Sequence, residues 1–254
     1  MSPDLGASPL ADRVAVVTGG SRGIGRAIAL RLAQAGARVA FAYRSREADA
    51  ASLLVELRTL GRDAHAEKFD VADFAAAQAF AADVRSRFGD VDILVNNAGV
   101  VVDKPLFAMS EADWDVVLDT NLKGAFNLSR AVLGRMMRRG SGRIVNIASV
   151  SGLRGVPGQA NYAASKAGIV GLTRALAAES ARFGVTVNAV APGFIDTEML
   201  RSMPEEKRGD LAKHIPMARL GSEGDVAEAV LYLASDAAAY VTGAVLPVDG
   251  GLLL

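Results

Sequence analysis

The chain contains no cysteine. That excludes disulfides, thiolate nucleophiles and the cysteine-based zinc motifs, and it agrees with a reducing compartment. Histidine is nearly as scarce: His65 and His214 are the only two. They are far apart and in no ligand spacing, so no metal site is expected and each reads as structural or solvated. Net charge is absent, with 28 Lys+Arg against 28 Asp+Glu, so no global field draws the chain to nucleic acid or to an anionic membrane. No apolar run approaches the ~18 residues that a membrane span needs. The opening MSPDLGASPLADR has neither the basic nor the apolar region of a secretory signal. The expectation is a soluble, cytoplasmic protein, with residues 1–10 a flexible leader and 11–254 one domain.

Hydrophobic residues are plentiful, at 51% of 254, and they fall in an alternating pattern. Short β-rich apolar runs suit strands, and the continuously apolar Val14–Val17 suits one covered on both faces. They occur at Val14–Val17, Arg38–Tyr43, His65–Phe69, Asp92–Val95, Arg143–Ala148, Val185–Val190 and Val245–Val248. Between them, helical periodicity predicts helices from Gly23 to Ala35, up to Leu60, over Asp73–Phe88, from Ser110 to Arg138 with an interruption, over Ala160–Phe183 and over Asp225–Ala234. Ser110 followed by Glu111 and Asp113 marks a helix start, with a cap and an acidic first turn. The stretch 192–222, with three prolines and many charges, reads as irregular. Strands alternating with crossover helices imply an α/β, single-domain, doubly wound parallel sheet of Rossmann type with helices on both faces. Ligands then bind beyond the carboxyl ends of the strands.

At the first such end lies Thr18-Gly19-Gly20-Ser21-Arg22-Gly23-Ile24-Gly25, between a strand and a helix. A tight turn, close approach of a pyrophosphate and free amides at a helix N-terminus all call for glycine, so this is a dinucleotide site. About 20 residues on, an NAD site needs an acid for the ribose 2′-hydroxyl. Ala42-Tyr43-Arg44-Ser45 has none, and Arg44 with Arg22 can converge on a 2′-phosphate. The cofactor expected is NADP(H).

Tyr162-Ala163-Ala164-Ser165-Lys166 opens a later helix. Residues four apart share a helix face, placing Lys166 beneath the Tyr162 ring, where an ammonium lowers a phenol's pKa and suits it to proton transfer. Ser149 ends the preceding strand, thirteen residues before Tyr162, where its hydroxyl can hold a ketone oxygen. Asn121 is a polar residue in a largely apolar helix, where it reads as a bend that also presents its amide and carbonyl to a relay water.

With these residues assembled, the chain resembles the short-chain dehydrogenase/reductase family from Val14 to Gly251. The motifs are Thr18–Gly25, Asp70-Val71, Asn96-Asn97-Ala98-Gly99, Asn121, Ser149, Tyr162/Lys166 and Pro192-Gly193. The resemblance implies a catalytic tetrad of Asn121, Ser149, Tyr162 and Lys166. Cofactor contacts follow from Gly19, Ser21, Arg22, Gly23, Ile24, Gly25, Arg44, Asp70, Val71, Asn97, Ala98 and Gly99, with Tyr162, Lys166, Pro192, Gly193 and Thr197 about the nicotinamide. Within the family, Gly158–Tyr162, Val187–Phe194, Leu233–Asp236 and Tyr240–Gly243 look closest to 3-oxoacyl-(acyl-carrier-protein) reductases and polyketide ketoreductases. That implies a 3-oxoacyl thioester as substrate, an acyl carrier protein as possible partner, and a homotetramer built on the long helices and the segment Tyr240–Leu254. Two departures weigh against housekeeping fatty-acid synthesis: Ala178 stands where carrier-linked relatives have arginine, and Val100-Val101-Val102-Asp103-Lys104 replaces a common Thr-Arg-Asp stretch. Arg135, Arg138, Arg139 and Arg143 are a candidate carrier-docking patch. Leu153, Val156, Phe194, Met199 and Leu200 are candidate pocket walls, with Met199 and Met203 suited to a mobile lid. The alternatives are another ketone or alcohol, or a nucleotide-binding regulator without catalysis.

Overall fold

The computed structural model describes residues 8–201 and 205–254. Seven parallel strands form one sheet in the order β3-β2-β1-β4-β5-β6-β7. They are β1 (Val14–Thr18), β2 (Arg38–Tyr43), β3 (Ala64–Lys68), β4 (Ile93–Asn96), β5 (Gly142–Ile147), β6 (Val185–Pro192) and β7 (Val245–Val248). The helices are α1 (Gly23–Gln34), α2 (Glu47–Thr59), α3 (Phe74–Phe88), α4 (Glu111–Leu118), α5 (Gly124–Arg139), α6 (Ala160–Ser180), α7 (Glu198–Arg201), α8 (Glu205–Lys213) and α9 (Glu223–Ala234).

The continuously apolar strands are explained by a core on each face. Side chains alternate along a strand, so Ala15 and Val17 pack with α1, α2 and α9, whereas Val14 and Val16 pack with α3 and α5. Two strand neighbours also share a buried polar ladder. Asn96 on β4 stands in register with Asn146 on β5. Asn96 donates to Asn146 Oδ1 at 2.8 Å and to Ser129 Oγ at 3.0 Å, and Asn146 donates to Thr173 Oγ1 on α6 at 2.9 Å.

Two readings of the sequence change, and a third becomes specific. Residues 8–10 are not loose: Leu10 is fully buried and its N–H donates to Ala35 at 2.9 Å, because its side chain joins the core cluster formed by α1 and its neighbours. The notional leader's first seven residues lie outside the described part. The stretch 192–222 is not irregular throughout, since it carries α7 and α8. The interruption in the long helix is a π-helical turn over Asp119–Lys123, which joins α4 to α5 without breaking the backbone path. At the start of α4, Ser110 and Asp113 form the capping box that the sequence suggested.

Candidate active site

The order of the sheet places β1 between β2 and β4, so the chain winds away on either side and a crevice opens at the carboxyl ends of these strands. The glycine-rich turn forms its floor. Gly19 and Gly23 have φ of +65° and +58°, the left-handed region that glycine tolerates. A side chain at Gly25 would collide with the Gly19 carbonyl oxygen and come within 2.5 Å of Asn97 Nδ2. That carbonyl and Thr18's both accept from Asn97 Nδ2, and Thr18 Oγ1 accepts from the amides of Asn97 and Ala98. The Asn-Asn-Ala-Gly segment therefore holds the turn closed from β4.

The resulting cleft, of about 310 Å³, is lined by Gly19, Ser21, Arg22, Gly23, Ile24, Gly25, Arg44, Asp70, Val71, Asn97, Ala98, Gly99 and Thr197. Every cofactor residue expected on the adenosine and pyrophosphate side is thus in one place. Arg46, which sequence reading missed, lines it too; it precedes α2 in the left-handed conformation at φ 66°. The end of β2 carries no acid, and Arg22, Arg44 and Arg46 surround it, a donor set that fits a phosphate on the ribose. Asp70, with Arg44 at 3.5 Å, stands at the rim, and its carboxylate also accepts from Ala72 N–H at 2.9 Å.

A second cavity, of about 380 Å³, adjoins the first and shares Ile24, Asn97, Gly99 and Thr197 with it. Ser149, Tyr162, Lys166, Pro192 and Gly193 line it. Tyr162 is largely buried, and Ser149 hydrogen-bonds its phenol oxygen. Lys166 is 4% exposed. Its Nζ donates to the Ile147 carbonyl at 2.8 Å and lies 5.6 Å from the Tyr162 ring centre. Burial pushes the Lys166 ammonium down to about 8. The phenol moves opposite to the sequence expectation: burial raises its pKa above the ordinary tyrosine value, the Ser149 bond lowers it and Asp103 raises it. Desolvation opposes both charged forms and is the largest cause of each shift.

Asn121 is also placed differently from expectation. Its side-chain amide is committed, with Oδ1 accepting from Val100 N–H at 2.8 Å and Nδ2 donating to the Val100 carbonyl and to Ser165 Oγ, each at 3.0 Å. It is first a staple for the loop after Gly99. The space that a Gly99 side chain would fill is 3.2 Å from Asn121 Oδ1 and 3.6 Å from Lys166 Nζ.

Val156, Phe194 and Leu200 wall the second cavity as expected, whereas Leu153 turns to solvent. Met203 and the side chain of Met199 lie outside the described part. Leu252 and Leu253 join the wall, so two leucines of the apolar tail settle on their own chain; Leu254 is exposed. Ser151, Gln159 and Asp103, not singled out in the sequence, form a polar side of this cavity through bonds of 2.9 and 3.1 Å.

Of the four arginines expected as a docking patch, Arg143 leaves the surface, whereas Arg135, Arg138 and Arg139 stay exposed at the end of α5. Arg143 is 7% exposed and pairs with Asp236 at 3.2 Å, 93 residues away. Arg135 binds Asp90 and Arg139 binds Asp92. His65 is not isolated in space: its Nε2 is 3.0 Å from Asp83 and 3.7 Å from Glu67, between β3 and α3, and Asp83 also holds Arg87. Among the described residues no helix is long and apolar enough to cross a membrane.

Comparison with known proteins agrees with this geometry. Residues 19–253 match the family model described as enoyl-(acyl carrier protein) reductase. The chain is 47% identical over 240 residues to the 3-oxoacyl-(acyl-carrier-protein) reductase FabG of Staphylococcus aureus, covering 94% of this chain and 98% of that protein. With the FabG of Escherichia coli K12 the identity is 45% over 242 residues, covering 95% and 98%. A solved structure from Agrobacterium tumefaciens, assigned as a candidate gluconate dehydrogenase, superposes with a TM-score of 0.92 at 39% identity, covering 96% of this chain and 97% of that one. A cleft over the glycine-rich turn, with Ser149, Tyr162 and Lys166 lining the adjoining cavity, accompanies this likeness over nearly the whole length, and the chain belongs to the short-chain dehydrogenase/reductase family of oxidoreductases.

Proposed function

We propose that the chain reduces a 3-oxoacyl thioester to the 3-hydroxyacyl thioester with NADPH. The observation that carries the reading is the junction of the two cavities. There the Tyr162–Ser149 pair faces an apolar chamber, and the far end of the nucleotide cleft is ringed by arginines without an acid on β2. When bound, the reduced nicotinamide supplies hydride to the carbonyl carbon. Ser149 and Tyr162 hold the carbonyl oxygen as charge gathers on it. Tyr162 then gives its proton to that oxygen; a phenol whose pKa stands above the ordinary value is fully protonated at neutral pH, as a donor must be. Lys166, under the ring, is mostly cationic at pH 7 with a pKa of about 8 and favours loss of that proton. Reprotonation runs through Lys166 and a water in the space beside Gly99, held by Asn121 Oδ1.

Leu200, Phe194, Val156, Leu252 and Leu253 suit an acyl chain. The polar side made by Asp103, Ser151 and Gln159 favours a second reading, a hydroxylated ketone or alcohol such as a sugar acid. The assembly proposed is a homotetramer, with the exposed apolar residues Val116, Phe126 and Tyr240 on its contact faces.

Cofactor oxidation with acetoacetyl groups on a carrier protein and on a small thioester tests the reading. Fast turnover with NADPH, faster on the carrier, is expected. Turnover on the small thioester alone removes the carrier. Failure on both, with a polyol or sugar acid active, replaces this reading by the second.

A further inference from the structure

The nucleotide cleft contains an anion supplied by the protein itself. Glu198, the first residue of α7, reaches Arg22 at 3.0 Å and Arg46 at 3.7 Å. Arg22 belongs to the glycine-rich turn and Arg46 precedes α2, so one carboxylate ties together the loops after β1, β2 and β6. Arg44, the third cation there, is already turned toward Asp70. All three arginines and Glu198 line the same cleft, at the β2 end where this fold places the ribose 2′ position.

We propose that Glu198 is a specificity-determining residue that stands in for the 2′-phosphate. It occupies two of the arginines that would bind that phosphate. A 2′-phosphorylated nucleotide must displace it, whereas one with a free 2′-hydroxyl leaves it in place. The inference rests on the reading of this cleft as an NADPH site. Two consequences follow. Glu198 weakens NADPH binding below what the arginines alone would give. And because Glu198 adjoins Thr197, which lines both cavities, the phosphate at one end of the nucleotide releases the segment that borders the substrate chamber at the other. Side-chain exposures of 52–62% on the partners mean that solvent and salt screen these pairs. The effect is therefore a few-fold change that fades at high ionic strength.

The test compares wild type with Glu198→Gln, reading Kd for NADPH and NADH from nicotinamide fluorescence. NADPH should bind the variant about threefold to tenfold more tightly, with NADH within about twofold, and the difference should shrink in 0.5 M salt, as expected of two exposed ion pairs. A second readout needs no catalysis: amide hydrogen exchange of residues 197–201. In wild type, adenosine 2′,5′-bisphosphate should speed it and AMP, lacking only the 2′-phosphate, should not. In the variant it should be fast without ligand. Equal shifts for NADPH and NADH, weaker NADPH binding in the variant, or exchange indifferent to the 2′-phosphate would each overturn the proposal. Preference of the wild type for NADH would overturn the NADPH reading beneath it, and that result is read without the variant.

Discussion

Replacing Lys166 by Met should remove a rise in stability with pH that the wild type owes to this one buried amine. In the ligand-free fold the Lys166 pKa falls from 10.5 to about 8, through burial alone. Below pH 7 the amine is protonated in both the folded and unfolded chains, and its buried charge costs stability. Between about 8 and 10.5 the unfolded chain keeps the proton that the folded chain has released, so the unfolded state binds more protons and stability climbs with pH. The full drop corresponds to about 3 kcal/mol at ~1.4 kcal/mol per pH unit. From pH 7 to 9.5 the wild type should therefore gain about 2 kcal/mol from this group. Loss of the bond to the Ile147 carbonyl adds an offset of about 1–3 kcal/mol that is nearly independent of pH, so the slope is the readout. Urea unfolding of both proteins without nucleotide at pH 7, 8 and 9.5 measures it. The difference in unfolding free energy should move by about 2 kcal/mol in favour of wild type as pH rises. Tyr162, its pKa raised by burial, stays protonated in the folded state over this range. A difference that does not change with pH would refute the argument that desolvation sets the charge at the base of the site.

Further outcomes follow from the same structure. Tyr162→Phe should cut turnover about 10²–10⁴-fold while NADPH affinity, by fluorescence, changes little; retained turnover would discard Tyr162 as the donor. Gly25→Ala forces a methyl into the Gly19 carbonyl and Asn97. It should cost about 2 kcal/mol, or roughly 4–8 °C in Tm by calorimetry, and weaken nucleotide binding; unchanged melting would show that the turn can relax. Asn121→Ala strips partners from both polar groups of Val100 and from Ser165, and should lower stability by about 2–4 kcal/mol in urea. A small loss there would show that water replaces the amide.

Much of this was legible because it is local. Seven apolar runs became seven strands, and the half-polar β3 was found within a residue because its neighbours set its spacing. Thr18–Gly25 and Tyr162/Lys166 carry their chemistry in short spacings that a turn or one helical face converts directly into geometry. What escaped depends on distance along the chain. Arg143 looks like a surface cation until Asp236, 93 residues on, is folded against it. Arg46 joins the cleft through a left-handed backbone that arginine does not advertise. The direction of the Tyr162 shift was misread because a helix face shows the neighbouring charge but not the depth of burial around it. α7 and α8 were missed because prolines and mixed charges hide short helices that form on a scaffold already present.

The asparagine ladder between β4 and β5 has a meaning beyond stability. An apolar parallel pair can slide, since Val against Ile or Leu fits tolerably in several alignments. Slippage of β5 by one residue would move its end about 3.3 Å and turn its side chains to the opposite face. Asn96 would then lose Asn146, and Asn146 would lose Thr173, leaving amides stranded in the core at a cost of about 1–3 kcal/mol each. The wrong alignments are thereby excluded. Ser149 lies two residues past β5 and Tyr162 follows on α6, which the same ladder grips at Thr173. The vernier that sets the distance between serine and phenol is therefore cut into the middle of the sheet, in residues that touch no ligand.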